Sequence, residues 1–445
     1  MRRVPYRKTV GNEVVGRRTF LTAGAVAAVG AGALLEGCTD DEPSGGNADT
    51  AVGDGWERVR AEFALDPAFA HFAAFVLAGH PAVVRDAIAS WRERLDADPD
   101  AVLHDANQHD DEVRRAAAGY LGVRPEEIAL TDSTTMGLGL TYHGLQLGAN
   151  DHILTSTHDF YSTHESLRLA ASRAGARVEQ IALYDDSAAA SVDEIVSRVG
   201  AALRPETRVV ALTWVHSSTG VKLPVREIAD AIAEADVADQ PPVFCLDAVH
   251  GFGVEAAGPN ELGCDVFVSG THKWLFGPRG TGLVWLGPDA GRAVTPTIPG
   301  FDATSIGNWI LDRQATGPYG AQLTPGGYQA FEHRWAAADA FGFHREIGRD
   351  QVAARTTELA TQLKDGLAEV SGVRVVTPRD PELSSGIVCC EMVRVDPGEA
   401  VRRLREEYDV IASVTPYRES YLRFGPSIVT MPEQVDALVE AVGSL

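Results

Sequence analysis

The sequence predicts an α/β fold: a seven-stranded, mostly parallel sheet covered by helices on both faces, followed by a smaller α+β domain. Three observations carry this expectation. Between Asp111 and Leu286 helical and strand patterns alternate, and the strand segments are short, near-continuous apolar runs such as Val243 to Asp247 and Val266 to Val268. Strands buried on both faces read this way, and parallel strands need helical crossovers between them. After Gly327 the pattern changes to long helices and short strands. Finally, 445 residues at 45% hydrophobic and 23% charged suffice for a sizeable core and two domains.

Residues 1–38 read as an address. Six basic residues (Arg2, Arg3, Arg7, Lys8, Arg17, Arg18) precede an apolar, Ala/Gly-rich run from Phe20 to Leu35 that no acidic residue interrupts. Gly16-Arg17-Arg18-Thr19-Phe20-Leu21 resembles a twin-arginine export signal, and the run is short and glycine-rich for a membrane span. Leu35-Glu36-Gly37-Cys38 resembles a lipoprotein cleavage box, with Glu36 where a small residue is usual; Cys38 is then the lipidated residue and the only membrane anchor. Residues 39–55 form a polar tether.

The first large domain is expected over 56–325, opening with a broken helical stretch from Trp56 to about Gln108. A helix from Glu112 to Leu121 leads to strand Ile128 to Thr131, and a helix starting near Thr135 leads to strand His152 to Ser156. Helix Thr163 to Ala174, strand Val178 to Leu183, helix Val192 to Leu203 and strand Val209 to Val215 follow. Helix Val225 to Ala235 precedes Val243 to Asp247, Val266 to Val268 and Leu283 to Leu286, which complete seven strands. A Gly/Pro-rich segment, 295–327, reads as loop. In the smaller domain, 326–445, helices Trp335 to Glu346 and Asp350 to Val370 precede strands near Val373 to Val376 and Gly386 to Val393. Helix Gly398 to Glu407, strands Val410 to Val414 and Ser420 to Phe424, and helix Pro432 to Val442 close the chain.

The charge balance narrows the partners. With 39 basic and 62 acidic residues the net charge is −23, and no basic stripe interrupts it, which argues against nucleic acid or an anionic membrane face and leaves small molecules. Cys245, Cys264, Cys389 and Cys390 show no CxxC spacing, so neither a metal site nor a disulfide framework is indicated.

The chemistry centres on Lys273. Only four lysines occur (Lys8, Lys222, Lys273, Lys364), and the other basic side chains are arginines, which do not form Schiff bases. The strand Asp265 to Ser269 delivers Gly270-Thr271-His272-Lys273-Trp274 and the glycine-rich Gly277 to Gly282, presenting an amine to a carbonyl. A surface lysine at a strand end would look the same. Asp247 ends the strand Val243 to Leu246, at the carboxyl edge where open α/β sheets bind ligands; its carboxylate can hold a pyridine nitrogen protonated, or simply cap a turn. His250, three residues on, can lie over or beside the same ring. The hydroxyl-rich turn Thr131 to Thr135 opens a helix and offers free amides to a phosphate, as an ordinary cap also would. The order of these pieces, a phosphate-binding helix start, an Asp at a strand end and a Lys 26 residues later, is that of pyridoxal-phosphate enzymes of fold type I.

The stretch from Cys264 through Val284 resembles the signature around the cofactor lysine of class V aminotransferases, and the likeness covers most of residues 60–445. Its nearest flavour is the isopenicillin N epimerase-like branch, akin to cysteine desulfurases and C–S lyases; Thr207 to Gly220, Asp247 to Gly251 and His272 to Pro278 are similar to that branch. The resemblance implies pyridoxal 5'-phosphate, a homodimer, an amino-acid substrate and these contacts: Thr134, Thr135, Thr271 and His272 on the phosphate, with Ser269 less clearly matched; Phe160, or Tyr161 if the loop shifts by one, stacked on the ring; Ser217 near the phenolic oxygen; and Arg423 gripping the substrate carboxylate. Lys273 then binds the cofactor and moves the Cα proton. Epimerisation, transamination and β-elimination share that step, so an epimerase or aminotransferase stands beside a C–S lyase or desulfurase-like enzyme, and beside a lipid-tethered binding protein that lost catalysis. Three departures matter. The loop Tyr408 to Pro416 has no cysteine to accept sulfur. His71-Phe72-Ala73-Ala74-Phe75-Val76-Leu77 makes one wall of the mouth apolar. Phe331-Glu332-His333-Arg334 stands where the family has a Gly-Thr that reaches across the dimer, so Arg334 or His333 is the candidate for that contact.

Overall fold

Thirteen strands organise the described residues: β1 (Ala70–His71), β2 (Ile128–Thr131), β3 (His152–Ser156), β4 (Arg177–Ile181), β5 (Thr207–Thr213), β6 (Val243–Asp247), β7 (Val266–Gly270), β8 (Gly282–Leu286), β9 (Val373–Val375), β10 (Val388–Met392), β11 (Val410–Ile411), β12 (Ser413–Val414) and β13 (Leu422–Phe424). This computed structural model describes residues 48–235, 241–314 and 316–445. Arg17, Arg18 and Cys38, with the export and lipidation readings attached to them, lie outside those residues, as does most of the tether. No helix among the described residues is long and apolar enough to cross a membrane.

β2 to β8 form one seven-stranded sheet in the order β2-β8-β7-β6-β5-β3-β4. The pairs β3/β4, β3/β5, β5/β6 and β6/β7 are parallel, whereas β8 runs antiparallel to both β7 and β2. The reversal has a local cause. Parallel neighbours need a crossover of about a dozen residues or more, usually helical, and the 271–281 connection contains no helix, so β8 turns straight back. Alternate residues enter two cores: Val210, Leu212, Phe244, Leu246 and Phe267 pack on one face, and Val209, Ala211, Cys245, Val266 and Val268 on the other. Two-sided burial of this kind is what the continuous apolar runs require.

A four-stranded antiparallel sheet, β12-β13-β10-β9, lies under helices Arg349–Ala368, Pro397–Tyr408 and Pro432–Gly443 with its own core. Two expectations need correction here. The single strand expected over Val410 to Val414 is two: β11 leaves this sheet to pair in parallel with β1, while β12 pairs with β13. Each is two residues long, too short to show a period. The expected loop 295–327 holds helices Ala303–Ile310 and Tyr319–Leu323; the Asp302 carboxylate accepts from the Thr304 and Ser305 amides and starts the first of them.

Candidate active site

The carboxyl ends of β2, β3, β5, β6 and β7 converge on a cavity of about 240 Å³, whose lining includes Thr134, Phe160, Ser217, Asp247, His250 and Lys273, with Arg423 entering from the smaller sheet. Sites at this edge follow from parallel winding, which brings consecutive strand-end loops to one side.

Lys273 sits in the irregular connection after β7. Its amine is 3.3 Å from His250 Nε2. Burial lowers its pKa; the Asp247 charge opposes that shift and the Arg423 charge adds to it. The Asp247 carboxyl moves the other way, raised chiefly by burial and partly held back by the Val249 amide and Lys273. Val249 N–H donates to Asp247 Oδ1 at 3.2 Å, and Thr163 donates to Oδ2 over a long 3.4 Å. That second oxygen therefore retains acceptor capacity toward the cavity. His250 is held well below its ordinary pKa by burial, then by the charges of Lys273 and Arg423. Trp274 Nε1 donates to His250 Nδ1 at 3.4 Å.

The anion end is built at the start of the helix Thr134–Gly144. Ser133 caps it by accepting from Met136 N, so the Thr134 and Thr135 amides remain at the cavity. Thr134 Oγ1 accepts from Gly270 N at 2.8 Å, tying this helix start to the strand that delivers Lys273. Close packing sets the helix position. A Cβ at Gly137 would come within 2.6 Å of Val268 Cγ1, so a larger residue would push the helix off β7. His272 lines the cavity, and burial lowers its pKa. Thr271 does not line it: its hydroxyl is bonded to that of Thr281 and is fully enclosed. Ser269 likewise donates to the Gly270 carbonyl and lies off the cavity.

Phe160 lines the cavity, while Tyr161, the alternative, is 71% exposed and points away. Arg423 Nη1 donates to the Ser217 carbonyl at 3.0 Å and Nε to Ser413 Oγ at 3.1 Å, and the guanidinium lies 4.8 Å from the Phe75 ring centre. Its Nη2 end has no partner among the described residues and remains free for a carboxylate. Phe75 is buried and the adjacent Val76 lines the mouth, so the apolar wall is present. Arg334 turns inward to Asp110 at 3.3 Å, and His333 bonds the Arg279 carbonyl. Neither lines this cavity.

Three supporting residues escaped sequence reasoning. Asp159 accepts from Thr155 Oγ1, Ser156 N and Thr213 N, clipping the ends of β3 and β5 together beside Phe160. Tyr417 bonds Ser217 Oγ at 2.7 Å and stands edge-on to Phe160. Trp274 was visible only as the neighbour of Lys273.

Pyridoxal phosphate fits this arrangement. Lys273 offers the amine, Asp247 an acceptor for a protonated ring nitrogen, and the Thr134 helix start a seat for the phosphate. The Thr213 hydroxyl, 3% exposed and without a partner among the described residues, belongs to a residue that lines the same cavity. Together the sheet and the site define a pyridoxal-phosphate-dependent enzyme of fold type I. The chain belongs to the class-V aminotransferase family, whose model matches residues 80–414. It is 26% identical to the isopenicillin N epimerase of Streptomyces clavuligerus over 410 residues, covering 89% of this chain and 99% of that protein. It is 24% identical to a probable cysteine desulfurase of Xylella fastidiosa, covering 72% and 77% of the two chains. Among solved structures it superposes on a cystine C–S lyase with a TM-score of 0.76 at 20% identity, covering 85% of this chain and 98% of that one.

Proposed function

We propose that this enzyme holds an α-amino acid by its carboxylate on Arg423 and moves the Cα proton with Lys273. The observation that carries the reading is one half-buried amine that shares a single cavity with Asp247 and Arg423 and feels the charge of both. Bound pyridoxal phosphate supplies the electron sink that makes the Cα proton removable. The chain's own groups do the rest. Asp247 holds charge at the far end of the site, Arg423 orients the substrate, and the apolar wall of Phe75 and Val76 excludes water.

Sulfur transfer is disfavoured. The four cysteines among the described residues are all buried, none lines the cavity, and burial raises each thiol pKa, whereas a sulfur acceptor needs an accessible thiolate. A binding protein that lost catalysis would have no use for a cavity amine beside Asp247. The test is proton NMR in D2O with a panel of D- and L-amino acids. Exchange of the Cα hydrogen in at least one supports the reading, and interconversion, keto-acid or pyruvate release then names the reaction. A panel with no exchange, although borohydride fixes the cofactor on Lys273, sinks it.

Arg423→Lys is expected to raise KM about 10- to 100-fold with a smaller change in kcat. A point charge replaces a planar fork whose charge-assisted bonds are worth about 1.5–3 kcal/mol. Steady-state kinetics on whichever amino acid exchanges will measure the split.

We also propose export by the twin-arginine route, anchorage through Cys38 and assembly as a homodimer. The support is the leader sequence and, for the dimer, the family. Transport of an already folded chain suits an enzyme that must load its cofactor before leaving. Replacing Arg17 and Arg18 by lysine should leave the protein in the cytoplasm, and Cys38→Ala should release exported protein from membranes, both read by fractionation. A monomer in sedimentation velocity would overturn the assembly.

A further inference from the structure

We infer that Trp274 fixes the tautomer of His250, so that the Nε2–H of His250 donates to the Lys273 amine; Trp274 is thus a positioning residue for the proton carrier. The inference rests on the reading of Lys273 as that carrier. An indole N–H only donates, so His250 Nδ1, 3.4 Å from Trp274 Nε1, is an acceptor. The ring is enclosed among apolar and cationic neighbours and stays neutral, which leaves its one proton on Nε2. Nε2 faces Lys273 Nζ at 3.3 Å. An N–H donor is satisfied by the lone pair of a neutral amine, whereas an ammonium would set hydrogen against hydrogen. The lock therefore favours the form of Lys273 that can take a proton.

The packing holds both rings in register. Phe75 stacks on Trp274 at 5.8 Å and 23° and stands edge-on to His250 at 6.1 Å. Room for the indole comes from Gly386, where a Cβ would lie 2.6 Å from the Trp274 ring. The charged and titratable groups around Lys273 are Asp247 at the end of β6, Arg423 on β13, His250 on the turn after β6, and His272 alongside. Asp247 favours the ammonium and Arg423 opposes it. His272 Nδ1 is turned to the Thr281 carbonyl, and His250 is the histidine that meets the amine; its two neutral forms have opposite hydrogen-bonding sense, and the indole selects one.

The test uses two variants: Trp274→Phe, and the full chain with Trp274 replaced by its benzothiophene analogue, which keeps the ring size and loses only the N–H. Nitrogen-15 NMR of histidine-labelled apoprotein, with His250 assigned through His250→Asn, reads the tautomer directly. Competitive acetylation reads the Lys273 midpoint without any turnover. In the natural protein His250 should carry its proton on Nε2 alone. In both variants the Nδ1–H form should appear, Nε2 should accept from the ammonium, and the acetylation midpoint should rise by roughly 0.5–1 pH unit, with the acid limb of Cα exchange moving alongside. An Nδ1–H signal in the natural protein overturns the inference, as does an unchanged midpoint in the benzothiophene protein. If the tautomer and midpoint behave as stated while no amino acid exchanges, the lock stands and the proposed function fails.

Discussion

Lys273→Ala should lower Cα exchange by about 10³- to 10⁴-fold, the upper part of the range for removing a positioned acid-base group, and should abolish borohydride fixation of the cofactor. No other described lysine can substitute. Lys222 is paired with Glu255 at 3.1 Å, and Lys364 is enclosed with its amine bonded to the Pro378 and Arg379 carbonyls and to Ser384 Oγ. A small amine added to the variant should restore part of the exchange, because the cavity left by the side chain keeps Asp247 and Arg423 in place. The pH dependence has a defined sign. Burial lowers the Lys273 pKa to about 8, so the neutral amine gains population as pH rises through that value, well before the ordinary 10.5. Exchange and acetylation should both climb around there. A midpoint near 10.5, or exchange undiminished in the alanine variant, would remove Lys273 from its role.

Asp247→Asn should weaken cofactor binding about 10- to 100-fold and slow exchange about 10²- to 10³-fold. The first figure follows from losing a charge-assisted bond of about 1.5–3 kcal/mol, and the second from the usual cost of removing one preorganised electrostatic group. The amide keeps the Val249 contact and the side-chain volume, so the strand end should hold its shape. A second readout separates charge from packing. Asp247 raises the Lys273 pKa, so its neutralisation should move the acetylation midpoint down. Cofactor titration and acetylation on the same preparation check both. An upward shift, or binding as tight as in the natural protein, would show that the carboxylate does not act on the ring and the amine as described.

Much of the site was legible because its residues sit at the ends of strands that announce themselves. Asp247 closes a five-residue strand whose other four residues are apolar, Lys273 follows another strand, and Ser133 caps a helix directly after a third. Each signal is local. Arg423 was reachable only by resemblance, since β13 is three residues long and shows no usable period. Thr271 was misplaced toward the cavity because a hydroxyl next to a site histidine gives no sign of which way it turns; the bond to Thr281 decides that. Asp159 and Tyr417 were missed because what matters about them is whom they meet, 54 residues away in one case and 200 in the other.

The sequence by itself thus determined the seven strands of the main sheet, the edge at which ligands gather, and the amine, carboxylate and helix start proposed to hold pyridoxal phosphate. The strands and the helix start depend on patterns within a dozen residues, where periodicity and capping chemistry act; the cofactor reading came from their order along the chain and from the family resemblance. Only the tertiary structure decided that β8 reverses, that Val410 to Val414 divides between two partners, and that the indole beside Lys273 reaches back to His250. Those outcomes depend on contacts between distant segments. Their energies come from packing and hydrogen-bond direction, and neither leaves a repeat in the chain.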